Sequence, residues 1–190
     1  CARGHHFVLS LEALTRPPIR RARGDGLLRI MLLCSAFNGL TQRAWTELRA
    51  AGHEVTVQKA GDDEALRAAV AAIRPDVLIC PFLRERVPED VWRSYLTIVI
   101  HPGPPGDRGP SSLDWAIHEG HEEWGVTVLQ ADGDMDAGDV WASAPCRLPE
   151  LPKSVLYRGE VADAALEAVL LAVQRFADGT YLPRGQDGAV

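Results

Sequence analysis

One histidine and a group of aspartates in the sequence have the types and spacing that acid–base chemistry requires. His101 follows the apolar run at residues 96–100, and an acidic segment at residues 130–139 follows a second apolar run. An imidazole titrates near neutral pH and can pass a proton in either direction, and a nearby carboxylate fixes its tautomer and stabilises its charged form. We therefore take His101 with Asp136 or Asp134 as a candidate acid–base group.

The two apolar runs that precede these residues have the features of buried strands. Both are short, rich in β-branched residues and bounded by Gly, Pro or Asp. The histidine and the acids should then lie just past the C-terminal ends of two strands, at the edge where open α/β sheets bind ligands. A Gly- and Pro-rich loop after the histidine would bring backbone close to such a ligand.

Strand-like and helix-like segments alternate along most of the chain. We predict strands at residues 28–34, 54–58, 76–80, 96–100, 124–130 and 140–147. We predict helices at residues 40–51, from Asp62 or Asp63 onward, 88–92, from Ser111 or Ser112 to 119, and 153–178. This order predicts an α/β fold of the Rossmann-like kind, with a mostly parallel sheet and helices on both faces.

Several residues are expected to pack in the core. The last helix should present one apolar face, formed by Val155, Val161, Leu166, Val169 and Val173. Trp45 and Trp115 are expected in the core. The folded domain should cover residues 27–182, after a flexible, arginine-rich extension at residues 1–26 and before a short tail at residues 183–190.

Composition narrows the class of protein. A chain of 190 residues suits one domain, and a net charge of −6 argues against a general nucleic-acid surface. The four cysteines include no CxxC pair, and three lie in apolar strand-like runs, which predicts reduced, buried thiols and a cytoplasmic location. No apolar run approaches the ~18 residues of a membrane span, so no membrane partner is expected.

None of four known motifs is met. The turn at residues 35–39 lacks the GxGxxG of a dinucleotide site, and no GxxxxGK[ST] occurs, so neither NAD nor ATP is expected. His118 and His121 are one residue too close for a zinc-binding HExxH helix. The segment 132–138 begins like a calcium loop, but Ser143 stands where that loop needs Glu. We predict no metal, and read the segment as a catalytic loop or a plain polar hairpin.

At these residues the sequence resembles the formyltransferases that use 10-formyltetrahydrofolate. Those proteins have a strand leading into a histidine, then Arg-Gly before a helix, and later an acidic loop, which match here His101, residues 108–110 and residues 136–139. HPGPPGDRGPSSLDWAI and WGVTVLQADGDMDAGDVWA look most like the N-terminal domain of the hydrogenase maturation branch, the HypX/HoxX proteins. The resemblance covers about residues 27–181.

This resemblance implies transfer of a formyl group from 10-formyltetrahydrofolate, with coenzyme A as acceptor, as the first step of carbon monoxide supply to nickel-iron hydrogenase. In that branch a crotonase-like domain follows, and hydrogenase maturation proteins would be partners. Most formyltransferases carry Asn two residues before the histidine, where this chain has Val99. Val99 argues against the rival acceptors, a sugar amine or methionyl-tRNA. A non-catalytic folate-binding or scaffold domain is the alternative from another class.

The resemblance also implies roles for individual residues. His101 would donate to the developing oxyanion or shuttle a proton, with Asp136 orienting it. The missing Asn would be replaced by His101 itself, by Ser111 or Ser112, or by loop N–H groups. The pterin would lie against Phe82, Leu83 and the loop to Val87, with backbone groups at its polar edge, and Asp132 or Asp134 would help to bind it. Arg108 would contact an anion such as a coenzyme A phosphate, or brace its own loop.

Overall fold

The structure, a computed structural model, describes residues 26–186. Its strands are β1 (Arg29–Cys34), β2 (Glu54–Lys59), β3 (Val77–Phe82), β4 (Thr97–His101), β5 (Glu123–Gln130) and β6 (Val140–Arg147). Its helices are α1 (Gly39–Ala50), α2 (Asp63–Ile73), α3 (Glu89–Ser94), α4 (Ser112–His118), α5 (Lys153–Arg158) and α6 (Glu160–Asp178). The predicted N-terminal extension lies outside the described residues, apart from Gly26.

The strands form one sheet in the order β2-β1-β3-β4-β5-β6. Pairing is parallel from β2 through β4, and β5 and β6 each pair antiparallel with the strand before them. The predicted α/β fold with a mostly parallel sheet is therefore confirmed.

The antiparallel pairing of β4 with β5 corrects one prediction. His101 pairs with Thr127, and Ile98 pairs with Gln130, so the C-terminal ends of β4 and β5 point in opposite directions. The acidic segment therefore does not start at the sheet edge where His101 lies. It starts beside the beginning of β4 and must fold back to approach the histidine.

Two apolar clusters cover the two faces of the sheet. Ile30 and Leu32 belong to the larger cluster, with α1, α4, α5 and α6, and Met31 and Leu33 belong to the smaller one, with α2 and α3. Successive side chains of a strand point to opposite faces, so a continuous apolar strand such as β1 is buried on both sides.

The predicted single helix over residues 153–178 is wrong. The helix is interrupted at Gly159, whose φ of −101° and ψ of −103° are not helical, so that two helices, α5 and α6, form instead of one. Glycine adopts such a conformation at little steric cost. Val155, predicted on the apolar face, is 46% exposed on α5. Across residues 26–186, every helix is too short or too polar to traverse a lipid bilayer.

Trp115 and the C-terminal boundary also differ from the predictions. Leu113 and Ala116 form the buried face of α4, which turns Trp115 outward, 59% exposed, whereas Trp45 packs against the larger cluster as expected. The predicted domain end at residue 182 is too early. Arg184 forms an antiparallel bridge with Val140, and Gln186 is buried, so this segment is part of the domain.

Candidate active site

His101 ends β4 and is held between two carboxylates. Its Nε2 lies 2.6 Å from Oδ2 of Asp107, and its Nδ1 lies 3.3 Å from Oδ2 of Asp136. Only 3% of the residue is exposed. The structure thus brings together His101 and Asp136, and it adds Asp107, which sequence reasoning missed. The signal available was a carboxylate six residues after the histidine in the same Gly- and Pro-rich loop.

This arrangement favours the doubly protonated imidazolium. An ionised carboxylate only accepts hydrogen bonds, so two of them, one at each ring nitrogen, call for an N–H on both. Burial works to lower the pKa of His101, but the hydrogen bonds and negative charges of Asp136 and Asp107 outweigh it and raise that pKa above its ordinary value.

The loop that carries Asp107 is built to keep the His101–Asp107 contact. Gly103 lies against this pair, and a Cβ at that position would collide with Oδ2 of Asp107 and Nε2 of His101. The hydroxyl of Thr127, on β5, donates to the carbonyl of Gly103 at 2.7 Å. A buried strand side chain therefore fixes the backbone beside the histidine.

Ser112 serves the same loop. Its hydroxyl donates to the carbonyl of Pro102 at 2.8 Å, and the indole Nε1 of Trp124 donates to the same carbonyl at 2.9 Å. The indole also lies 3.3 Å from the Ser112 hydroxyl. Ser112 therefore braces the backbone next to His101, while Ser111 is exposed at the start of α4, with a φ of 67° and no capping bond from its side chain.

The acidic segment reaches the histidine by folding back along the sheet. Ala131 N donates to the carbonyl of Thr97, at the start of β4. Gly138 then packs so closely on the carbonyl of Gln130 that no Cβ would fit there. Asp136 has a φ of 53°, a left-handed conformation that a residue other than Gly rarely adopts. These contacts place its carboxylate at Nδ1 of His101.

A cleft of about 930 Å³ opens in front of His101. Its lining includes, of the residues predicted for the site, Phe82, Leu83, Val87, His101, Ser111, Ser112, Asp132, Asp134 and Asp136. Arg108 is exposed and is not part of this lining. A volume of this size and a mixed apolar and polar wall are typical of small-molecule sites.

Asp132 and Asp134 lie at the rim of the cleft and contact each other. Partial burial raises the pKa of Asp132, although the positive charge of Arg108 works against that rise. Its carboxylate accepts a hydrogen bond from Asp134 N at 3.0 Å. Within residues 26–186, no group of three or more His, Cys, Asp or Glu side chains is arranged to hold a metal ion.

Comparison with known proteins decides the family. Residues 38–173 match the family described as Formyl transferase. The chain belongs to the formyltransferase family. It is 50% identical over 157 residues to the hydrogenase maturation factor HoxX of Bradyrhizobium diazoefficiens, which covers 83% of this chain and 28% of HoxX. The predicted resemblance to the HypX/HoxX branch is thus confirmed.

Solved structures agree with this assignment. The crystal structure of HypX from Aquifex aeolicus in complex with tetrahydrofolic acid matches with a TM-score of 0.81 and 43% identity, over 84% of this chain and 28% of that chain. A methionyl-tRNA formyltransferase from Anaeromyxobacter sp. (strain K) is 30% identical over 77% of this chain and 47% of that protein. The chain therefore spans less than half the length of these relatives.

Proposed function

We propose that this domain takes the formyl group from 10-formyltetrahydrofolate and passes it to the thiol of coenzyme A. The observation that carries the proposal is His101, held between Asp107 and Asp136 at a cleft of about 930 Å³. Support comes from the family, and from the similarity to a HypX structure that contains tetrahydrofolic acid.

The lining of the cleft suits the apolar ring and the carboxylates of a reduced folate. Phe82, Leu83 and Val87 line one wall and offer apolar surface to a pterin ring. Arg84 and Arg86 line the same cleft and suit the carboxylates of the glutamate tail. The guanidinium of Arg86 also reaches across to the carbonyl of Gly133 in the acidic segment, at 3.4 Å, so both walls are connected near the rim.

We assign different roles to the two carboxylates that contact His101. Asp107 holds Nε2 by the shorter contact and is not part of the cleft lining, so we assign it to fixing the ring. Asp136 lines the cleft, and its 3.3 Å contact with Nδ1 is the one that a substrate oxygen replaces. As the nucleophile attacks, Nδ1–H meets the negative charge that develops on the formyl oxygen, and the freed Asp136 accepts the proton of the nucleophile.

What surrounds the histidine supports a thiol as the acceptor. Val99 lines the cleft at the position where related enzymes carry an Asn donor, so His101 carries the oxyanion without that donor. A thiol is far more acidic than an alkyl ammonium group and gives up its proton more readily to a carboxylate. In the transfer the formyl C–N10 bond breaks, a C–S bond forms, and the thiol proton ends on N10. The acidity of the thiol, with a carboxylate as base, favours coenzyme A over a sugar amine or methionyl-tRNA.

We place this transfer as the first step of carbon monoxide supply for hydrogenase maturation, because HoxX and HypX are 50% and 43% identical to the chain, against 30% for the methionyl-tRNA formyltransferase. A crotonase-like domain or protein would then act on the formyl thioester. Cys34, Cys80 and Cys146 are buried free thiols, which suits a cytoplasmic setting.

Incubating the protein with 10-formyltetrahydrofolate and coenzyme A tests the proposal. We expect mass spectrometry to detect formyl-coenzyme A and an equal amount of tetrahydrofolate, and a sugar amine or methionyl-tRNA to give no formylated product. Titration calorimetry with tetrahydrofolate measures binding in the same preparation. Binding without any turnover would contradict the proposal and support the non-catalytic folate-binding alternative.

A further inference from the structure

Gln186 lies behind the candidate site and contacts both segments that carry the carboxylates of His101. It is 6% exposed, and its side chain makes three hydrogen bonds to backbone. Its Nε2 donates to the carbonyls of Asp136, at 2.8 Å, and Gly138, at 2.9 Å. Its Oε1 accepts from Gly106 N at 2.9 Å.

These three bonds use both donors of a primary amide and its acceptor oxygen. The amide has two N–H donors and a carbonyl acceptor, and two carbonyls and one N–H meet them here. A carboxylate of the same size could keep the bond from Gly106 but would face the two carbonyls without a proton to offer. Few other side chains can join these three backbone groups.

The bonds fall next to the residues that hold the histidine. Gly106 precedes Asp107, which contacts Nε2 of His101, and the bonded carbonyl of Asp136 belongs to the residue that contacts Nδ1. Asp136 also has the left-handed φ of 53°, a conformation that persists only where surrounding contacts hold it. One amide therefore connects the two arms that grip the imidazole.

We infer that Gln186 is a positioning residue, which holds Asp107 and Asp136 at the two ring nitrogens of His101 through the backbone of Gly106, Asp136 and Gly138. It is not part of the cleft lining, so it acts without touching substrate. This inference rests on the proposed function for its catalytic consequence, but its structural half concerns His101 alone.

The segment that leads to Gln186 is held against β6 by hydrogen bonds to Val140. Val140 N donates to the carbonyl of Arg184 at 2.7 Å, and Arg184 N donates back to Val140 at 3.2 Å. The phenol of Tyr181 donates to the same Val140 carbonyl at 3.2 Å. Leu182, in contrast, is 76% exposed and provides a matched control on the same segment.

Gln186→Glu, a change of nearly the same size, tests the inference in the full chain. We expect kcat for formyl transfer to fall roughly 10²-fold with little change in KM, as for small misplacements of a reacting group. In ¹⁵N-histidine-labelled protein, we expect both ring nitrogens of His101 to be protonated in the wild type. In the variant, the Nδ1 signal should move toward that of an unprotonated nitrogen. Leu182→Ala should leave both measurements unchanged.

Three results would count against the role of Gln186 or separate it from the proposed function. Wild-type His101 signals in folded Gln186→Glu, or in the uncharged variant Gln186→Met, would overturn the inference. If neither variant folds, the wild type still decides, since nuclear Overhauser contacts between the Gln186 side-chain amide and Gly138 must be present, and their absence would overturn it. If the wild type shows no turnover, the proposed function fails, whereas the ring signals still test the role of Gln186.

Discussion

The two segments that meet at His101 are held in different ways. The histidine loop, residues 101–109, is fastened by the side chains of Ser112, Trp124 and Thr127, which bond its carbonyls. The acidic loop, residues 131–139, is tied mainly at its ends and has an exposed stretch between them. One side of the imidazole is thus held by side chains of α4 and β5, and the other by a loop that is bonded at its ends and by Gln186.

This difference separates the tasks of the site. A reacting group needs a fixed partner that sets its orientation and a second partner that can yield to substrate. The contact of Asp107 with His101, at 2.6 Å, belongs to the fastened loop, and the longer contact of Asp136, at 3.3 Å, belongs to the other.

His101→Ala removes the group on which both loops converge. We expect formyl transfer to fall by about 10²–10⁴-fold, the usual contribution of a positioned acid–base group. Folate affinity, measured by calorimetry, should change little, because the pterin wall at residues 82–87 is untouched. Circular dichroism controls for folding, and a variant that keeps wild-type turnover would refute the role of His101.

Asp107→Asn and Asp136→Asn compare the two sides of the ring directly. Each replaces a charge-assisted hydrogen bond, worth ~1.5–3 kcal/mol, by a weaker one, so we expect roughly ten- to a hundredfold losses in kcat. Only Asp136→Asn should also change KM, because Asp136 lines the cleft and Asp107 does not. Equal effects on KM in steady-state kinetics would contradict the division of tasks.

Thr127→Val tests the fastening of the histidine loop. The change keeps the side-chain shape but leaves the buried carbonyl of Gly103 without its 2.7 Å hydrogen bond. We expect the free energy of unfolding, from urea titration, to drop by about 1–3 kcal/mol. Thr56→Val is the matched control on β2, since that hydroxyl makes only a 3.4 Å contact, and a similar loss there would undermine the interpretation.

The raised pKa of His101 predicts a smaller, pH-dependent effect. A group whose pKa is higher in the folded than in the unfolded state stabilises the fold fully below the unfolded value, near ~6.5 for histidine. This stabilisation is lost as pH rises through the folded pKa. Urea titrations across this window should show the loss in the wild type and not in His101→Ala. A wild type that gains stability relative to the variant as pH rises would contradict the sign.

Local sequence signals predicted most of the fold. Apolar β-branched runs located the strands, and Asp62 caps α2 by accepting from Ala65 N at 2.9 Å, as such residues do before a helix. Gly179, with a φ of 66°, ends α6 where the pattern placed the stop. The direction of a strand cannot be predicted in this way, because an apolar run has the same composition in a parallel and in an antiparallel strand. The antiparallel pairing of β5 was therefore not visible in its sequence.

The site could be predicted only in part, because local sequence signals do not show how distant segments meet. His101 and Asp136 stood out by residue type and by their places after strands, yet the route between them depends on how the acidic loop folds back. Asp107 was close in sequence but looked like one more polar loop residue. Gln186 carries no local signal, because its importance arises from three backbone groups that only the folded chain brings to it.

A crystal structure of this chain with tetrahydrofolate bound would show whether His101 faces the position of the formyl group. We expect the pterin against Phe82, Leu83 and Val87, with N10 of the folate beside His101 and the contact between Nδ1 and Asp136 opened or lengthened. Folate bound elsewhere, such as the separate cavity of about 820 Å³ beside Leu148 and Glu160, with the His101 cleft empty, would contradict it.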